Sequence, residues 1–407
     1  MTNRIHIFRN GEKCVALDTL TLKKYYFDYS QKDSLDNLDL MPIVEIKKND
    51  AINNIQIAVT TKCNLNCIYC QLYKNRPDKL EDMTIDVAQI IYEKYKPLFS
   101  SGTLIVTGGE PFMNWNITSY LLKKSSGRKI VFTNGTFLSE EKIEFLKEYN
   151  TFLIVSSDGN RECNDFSRLR KDGVSVSSLI HNNLLLLKEL KANFGISLVL
   201  NDRNYKNITP ICNWLIDEYA PNSLGINLPH YTKDYTWNFP EAELITEFEK
   251  LFHLSIDRNI FIDPISRYLS PLIKEEPKLH DCSACGRKVV FYPNGKESNC
   301  ILKHLFSRGN ALDIWKNRSP LNSKICETCF AKGICGGGCI FDGNMFFGEG
   351  SFDKRRCGII KKLVESILWD IPLRTKNISS KLDIIAMYQD VINNPTNKNW
   401  SVGHDQI

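Results

Sequence analysis

The sequence predicts an α/β fold organised on a parallel sheet. Six apolar runs of strand length, at 55–59, 104–107, 130–133, 152–156, 195–200 and 223–228, are separated by longer stretches with helical spacing. Strands alternating with helices in this way imply parallel pairing and crossover connections of one hand. Polar and glycine-containing clusters directly follow several of these runs, at the strand ends where such folds place their chemistry.

Taken in order, the chain opens with Ile5-His6-Ile7-Phe8 and Lys13-Cys14-Val15-Ala16-Leu17, separated by Asn10-Gly11. An Asn-Gly step between apolar runs signals a hairpin, so residues 1–50 read as a small β-rich N-terminal extension. The sheet region spans 51–228. Within it Thr84 can cap a helix whose Val87, Ile90, Ile91 and Tyr95 recur at three- and four-residue spacing. Ser139-Glu140-Glu141 starts a second, ahead of Ile143 and Leu146, and a third covers roughly 176–190. Residues 229–281 form a bridging segment with a helix near 241–252 and a stretch from Pro264 to Pro277. A cysteine-rich region occupies 282–357. A helix at 359–369 and a polar tail beyond Asn393, expected to fray, complete 358–407.

At 407 residues, with 43% hydrophobic and 24% charged residues, the composition is that of a large globular chain. A net charge of +5 without a dense Lys/Arg block is no nucleic-acid signature. The start lacks the apolar core of a signal peptide and no run reaches membrane-spanning length, so a cytoplasmic location with no membrane partner is expected. In such a setting fourteen cysteines argue for metal rather than disulfides. Three sit in one loop and eight between Cys282 and Cys357, while Cys14, Cys163 and Cys212 stand alone.

The loop is Cys63-x3-Cys67-x2-Cys70, directly after the first strand. Three thiolates are one too few for a closed zinc site or a fully ligated cubane, so an iron–sulfur cluster held here keeps one iron open. The plainer alternatives are a structural zinc knuckle or scattered core cysteines. With Tyr69 just before its last cysteine, the loop resembles that of the radical S-adenosylmethionine (SAM) superfamily. The resemblance implies a partial (β/α)6 TIM-like barrel with its active face at the strand C-termini. It also implies a 4Fe–4S cluster on Cys63, Cys67 and Cys70, whose open iron is chelated by SAM.

Thr107-Gly108-Gly109-Glu110-Pro111 follows the second strand; two glycines permit close backbone approach, and a carboxylate beside them can accept from an ammonium group. By itself this is equally a strand-to-helix turn. By resemblance it is the segment that holds the SAM amino group. Asn134 ends the third strand, and Ser156-Ser157-Asp158-Gly159 ends the fourth, followed by Asn164-Asp165 and Arg168. The resemblance implies SAM contacts for Tyr69, Gly108, Gly109, Glu110, Asn134, Ser157 and Arg168, with Gly195-Ile196 and Leu228 along the adenine wall. A family His-Asp pair reads Asn164-Asp165 here, and core packing accounts for Gly195 and Leu228 almost as well.

The second constellation is Cys282, Cys285-x9-Gly295-x4-Cys300, then Cys326-x2-Cys329-x5-Cys335-x3-Cys339, then Cys357. Cys-x2-Cys pairs serve zinc ribbons as well as clusters. In this order they resemble a SPASM iron–sulfur domain, which implies two auxiliary 4Fe–4S clusters. Cys282, Cys285, Cys300 and Cys339 would hold the nearer one, and Cys326, Cys329, Cys335 and Cys357 the distal one.

Relatives with this domain mostly modify peptides. The resemblance therefore implies a maturase that makes a 5′-deoxyadenosyl radical, abstracts hydrogen from a ribosomally made precursor peptide and forms a C–C, C–O or thioether cross-link. Its partners would be that peptide and an external flavodoxin- or ferredoxin-like electron donor. Sulfatase-maturing relatives carry an aspartate base after the cysteine equivalent to Cys300; here Ile301 stands there, which counts against that activity. The alternatives are a peptide epimerase using Cys163 or Cys212 as hydrogen donor, a sulfatase-maturase-like protein-oxidising enzyme and, last, a non-catalytic iron–sulfur or zinc protein.

Overall fold

The computed structural model describes residues 4–32, 51–74, 80–234, 238–302, 318–374 and 381–393. The expected tail beyond Asn393 and the end of the N-terminal extension lie outside them. All six expected strands form: β4 (Asn54–Ala58), β5 (Thr103–Thr107), β6 (Arg128–Thr133), β7 (Thr151–Ser156), β8 (Phe194–Val199) and β9 (Ser223–Asn227). They pair in parallel in chain order.

The sheet is wider than the sequence indicates. β10 (Phe261–Asp263) adds in parallel beside β9, and β11 (Lys288–Phe291) adds in parallel beside β4 with β12 (Glu297–Ser298) antiparallel outside it. The result is a nine-stranded open sheet, ordered β10-β9-β8-β7-β6-β5-β4-β11-β12. Both additions were hidden because three- and four-residue strands carry too short a pattern to separate from loop.

Strand alternation divides the core. Leu104, Val106, Val131, Leu153 and Val155 face the main apolar core with the helices, whereas Ile105, Ile130, Phe152 and Ile154 form a small separate cluster on the other face. That second face turns polar toward the strand C-termini, which is what leaves room for a site.

Thr84 caps the helix Ile85–Lys94 by accepting from the Val87 N–H, and Ser139 caps Glu140–Glu148 through the Lys142 N–H. In the first of these, Ile90 does not join the core face: it is 67% exposed, and Ala88 and Ile91 are buried instead. The helix expected near 176–190 is Ser177–Glu189. The bridging segment supplies helices Glu241–Asp257 and Ile265–Lys274, and the chain's last long helix is Cys357–Arg374.

The N-terminal hairpin forms at Asn10-Gly11, with Asn10 opposite Lys13. β1 (Ile5–Asn10), β2 (Lys13–Asp18) and β3 (Lys24–Asp28) make a three-stranded antiparallel sheet. It is docked rather than free. Lys24 Nζ reaches Glu275 and the Leu272 carbonyl, Tyr26 donates to the Leu368 carbonyl, and the His6 and Phe8 rings lie 4.7 and 4.9 Å from that of Phe330. Among the described residues no helix is long and apolar enough to cross a membrane.

Candidate functional site

The three-cysteine loop leaves the C-terminal end of β4 and is gripped from two sides. On one side Gly109 N–H donates to Thr60 O and Glu110 N–H to Lys62 O, both at 2.8 Å. On the other, Asn66 N–H donates to Leu169 O at 2.9 Å and Ile68 N–H to Ser167 O at 3.0 Å. The glycines make the first grip possible: a Cβ on Gly109 would stand 2.0 Å from Lys62 O, and one on Gly108, whose φ is +145°, 2.4 Å from Thr60 O. Their close approach, expected toward a ligand, is thus also to the cysteine loop itself.

The three sulfurs share one neighbourhood. Cys63 Sγ accepts from Leu65 N–H at 3.4 Å and from Asn134 Nδ2 at 3.8 Å. Burial pushes the Cys63 thiol up to about 11, and Cys70 adds to the shift. Cys67 is raised too, by burial first, with Cys70 and Cys63 reinforcing it and Arg168 opposing it. Such thiols stay protonated until a metal replaces the proton, and N–H donors aimed at sulfur suit a bound thiolate.

Glu110 is fully buried between β5 and β6. Its Oε1 accepts from Phe112 N–H at 3.0 Å and Thr133 Oγ1 at 2.8 Å, and its Oε2 from Asn134 N–H at 2.7 Å. Burial outweighs these donors and holds the carboxyl up at about 7. The Asn134 side chain bridges to Asn64 at 2.8 Å, so the end of β6 also touches the cysteine loop.

Tyr69 and Arg168 meet at Asp158, in the segment that ends the fourth strand. Asp158 Oδ2 accepts from Tyr69 Oη and Ser167 Oγ, both at 2.5 Å, and lies 3.0 Å from Arg168 Nε, while Oδ1 accepts from Val199 N–H at 2.9 Å. The Arg168 guanidinium sits 5.4 Å from the Tyr69 ring centre. Tyr69, Asp158 and Arg168 are all buried. Ser157 N–H donates to Ser197 O across β7 and β8, and Leu228 is buried just past β9. Gln56, Ser197 and Asn227 add further buried polar groups along the sheet; Asn227 Nδ2 donates to Ser197 Oγ at 3.0 Å. A Cβ on Gly195 would meet Ser223 Oγ at 2.4 Å, so that glycine is needed for strand packing.

The eight later cysteines fall into two sets. Cys282 and Cys300 pack on Ala284 and Ile340, the residue after Cys339, and Cys282 neighbours Cys285, Cys300 and Cys339 electrostatically. Cys329 likewise neighbours Cys326, Cys335 and Cys357. Burial raises the Cys300 thiol to about 11 and that of Cys335 to about 12. Between Cys335 and Cys339 the chain winds through Gly336, Gly337 and Gly338, all at positive φ, and a Cβ on Gly336 would lie 2.4 Å from Asp281 N. Because β11 pairs with β4, Cys285 and Cys300 are carried to the edge of the sheet whose next strand leads into the first cysteine loop.

Cys163 and Cys212 are elsewhere. Cys163 lies on the helix Arg161–Ser167 with its thiol 3.5 Å from Arg203 O, and Cys212 is fully buried on the helix Ile208–Tyr219. Both are core thiols. Asp158 was named only as part of a strand end, and His230, Asp342 and Arg355 escaped the sequence reading; the one available signal was His230, two residues past the sixth strand.

Residues 57–215 match the model of the Radical SAM superfamily. That stretch of the chain is a radical SAM domain. The radical SAM cyclopropyl synthase TigE of Paramaledivibacter caminithermalis is 26% identical over 376 residues, which cover 83% of this chain and 77% of that protein. The antilisterial bacteriocin subtilosin biosynthesis protein AlbA of Bacillus subtilis is 27% identical over 317 residues, 69% of this chain and 65% of that one. In fold, this radical SAM protein resembles native anSMEcpe with bound AdoMet and Cp18Cys peptide. The TM-score is 0.65 at 16% identity, covering 80% of this chain and 99% of that one.

Proposed function

We propose that the chain is a radical SAM peptide maturase that carries three 4Fe–4S clusters and cross-links a ribosomally made peptide. The observation that carries this is the grouping of eleven cysteines into one set of three and two sets of four, the first at the C-terminal end of β4. The likeness to a bacteriocin biosynthesis protein and to a structure with a bound peptide supports a peptide substrate.

The donor chemistry fits the cofactors: soft thiols, all but Cys357 at least partly buried, each set with a backbone N–H pointing at sulfur, at Cys63, Cys300 and Cys335. Cys63, Cys67 and Cys70 would hold the SAM cluster, which together with SAM supplies the hydrogen-abstracting radical. Cys282, Cys285, Cys300 and Cys339 would hold the nearer auxiliary cluster, and Cys326, Cys329, Cys335 and Cys357 the distal one. Glu110 would accept from the SAM amino group, Asn134, whose Nδ2 donates to Cys63 Sγ, would be a further SAM contact, and Ser157, Arg168 and Leu228 border the same sheet end. Tyr69 and Asp158 hold Arg168 in place. The sheet end thereby orients the radical toward one C–H bond and keeps water away. An external flavodoxin- or ferredoxin-like protein would deliver the electron.

The test is anaerobic reconstitution with iron and sulfide, then co-expression with peptides encoded nearby. About twelve irons per chain, release of 5′-deoxyadenosine on adding SAM and reductant, and a loss of two mass units in a co-expressed peptide are expected for a single cross-link. Two zincs without deoxyadenosine would overturn the reading. Deoxyadenosine with solvent deuterium entering an unchanged peptide skeleton would replace cross-linking by epimerisation.

A further inference from the structure

One buried guanidinium joins the two four-cysteine sets. Arg355 Nε and Nη2 donate to Asp353 Oδ1 and Oδ2 at 2.7 and 2.8 Å, and Nη2 also donates to Asp342 Oδ2 at 2.7 Å. Its Nη1 donates to the Pro229 carbonyl at 2.6 Å, just past β9. Asp342 in turn accepts from Tyr231 N–H at 2.9 Å and pairs with His230 Nδ1 at 2.6 Å. The side chains of Arg355, Asp342 and Asp353 are 3%, 0% and 0% exposed.

Both carboxylates lie beside cysteines of the four-cysteine sets. Asp342 brings an oxygen within 4.8 Å of Cys339 Sγ. Asp353 packs on Gly338, where a Cβ would stand 3.0 Å from its own, and lies four residues before Cys357. Asp353 neighbours both Cys339 and Cys357 electrostatically, so it lies between the two sets. The buried Asp342 is held between His230 and Arg355 in ion pairs 2.6 and 2.7 Å long.

We propose that Arg355 is the positioning residue of the auxiliary pair. Its fixed positive charge, shared by Asp342 and Asp353, sets the potentials at which both auxiliary clusters take up an electron, and its bond to Pro229 O ties them to the end of β9. This rests on the reading that the two sets hold 4Fe–4S clusters. A cluster gains negative charge when reduced, so a nearby cation raises its potential and a nearby carboxylate lowers it.

The experiment is potentiometric titration of the reconstituted protein followed by electron paramagnetic resonance, which resolves the three clusters without any substrate. Iron content of the unaltered protein comes first; zinc, or about four irons, would mean that the cluster reading itself has failed. With about twelve irons, R355Q should lower both auxiliary potentials and leave the SAM-cluster potential in place, and R355K should return them toward the starting values. D342N should raise the nearer cluster alone, and it decides the matter if R355Q does not retain its iron. No shift in D342N or in iron-loaded R355Q, or an equal shift of all three clusters, would overturn the proposal.

Discussion

Gly109 and Lys62 are in backbone contact: the amide that follows Gly109 donates to Lys62 O, and a Cβ on Gly109 would stand 2.0 Å from that same oxygen. The segment after β5 is therefore the mould for the loop after β4. The obstacle is backbone rather than a flexible side-chain tip, so no rotamer change relieves it. G109A should push the loop away, at a cost of about 1–3 kcal/mol for overpacking. Reconstituted G109A is expected to lose about four of about twelve irons and all deoxyadenosine formation, with both auxiliary signals kept; full iron content in this variant would contradict the contact's importance.

Glu110 gives the fold a pH dependence of definite sign. Its carboxyl titrates near 4.5 when unfolded and is held up at about 7 by burial in the native state. Between those values the native protein binds the extra proton, so the contribution is fully present below about 4.5 and is lost as pH rises through about 7. Urea unfolding of the cofactor-free protein should show stability falling over this window, and E110Q should flatten the fall. A slope that is unchanged in E110Q would assign it to another group.

The Asp158–Arg168 pair is buried, and removing one member strands the other. D158N leaves the Arg168 guanidinium without its counter-charge and weakens the contacts of Tyr69 Oη, Ser167 Oγ and Val199 N–H. The expected loss is about 3–5 kcal/mol. Y69F removes one hydrogen bond and should cost about 1 kcal/mol. Equilibrium denaturation of both variants checks the order; equal losses would mean that the ion pair carries no special weight.

The sheet and the cysteine groups were legible in the sequence for one reason: both are written in local patterns. Apolar runs marked β4 to β9, and Cys63, Cys67 and Cys70 announced themselves by spacing. What stayed hidden depends on contacts between distant residues. β11 is four residues long and exists as a strand because β4 offers it an edge. Asp158 stood out only as part of a strand end because its partners Tyr69 and Val199 lie far along the chain in opposite directions. Ile90 had the right spacing for the core and lost the place to Ala88, since a helix register is decided by what faces it. Arg355 and Asp342 carried no local signal at all.

The N-terminal sheet makes a prediction that separates support from capture. β1 and β3 flank β2, so each has an edge without a strand partner among the described residues, which supports peptide capture by strand addition. The same sheet covers the second four-cysteine set: the His6 ring packs tilted and the Phe8 ring edge-on against Phe330, next to Cys329, and a Cβ on Gly333 would stand 2.7 Å from Thr19 O. Deleting residues 1–32 should therefore lower the unfolding temperature and release about four of about twelve irons, with the three-cysteine loop still forming deoxyadenosine. F330A, which keeps both sheet edges, should cost about 1–3 kcal/mol, because a half-buried ring loses part of the usual core value. If peptide affinity disappears in the deletion and survives in F330A, the edge captures the peptide. If both variants lose iron and neither loses affinity, the sheet is a cover for the cysteines and the peptide docks elsewhere.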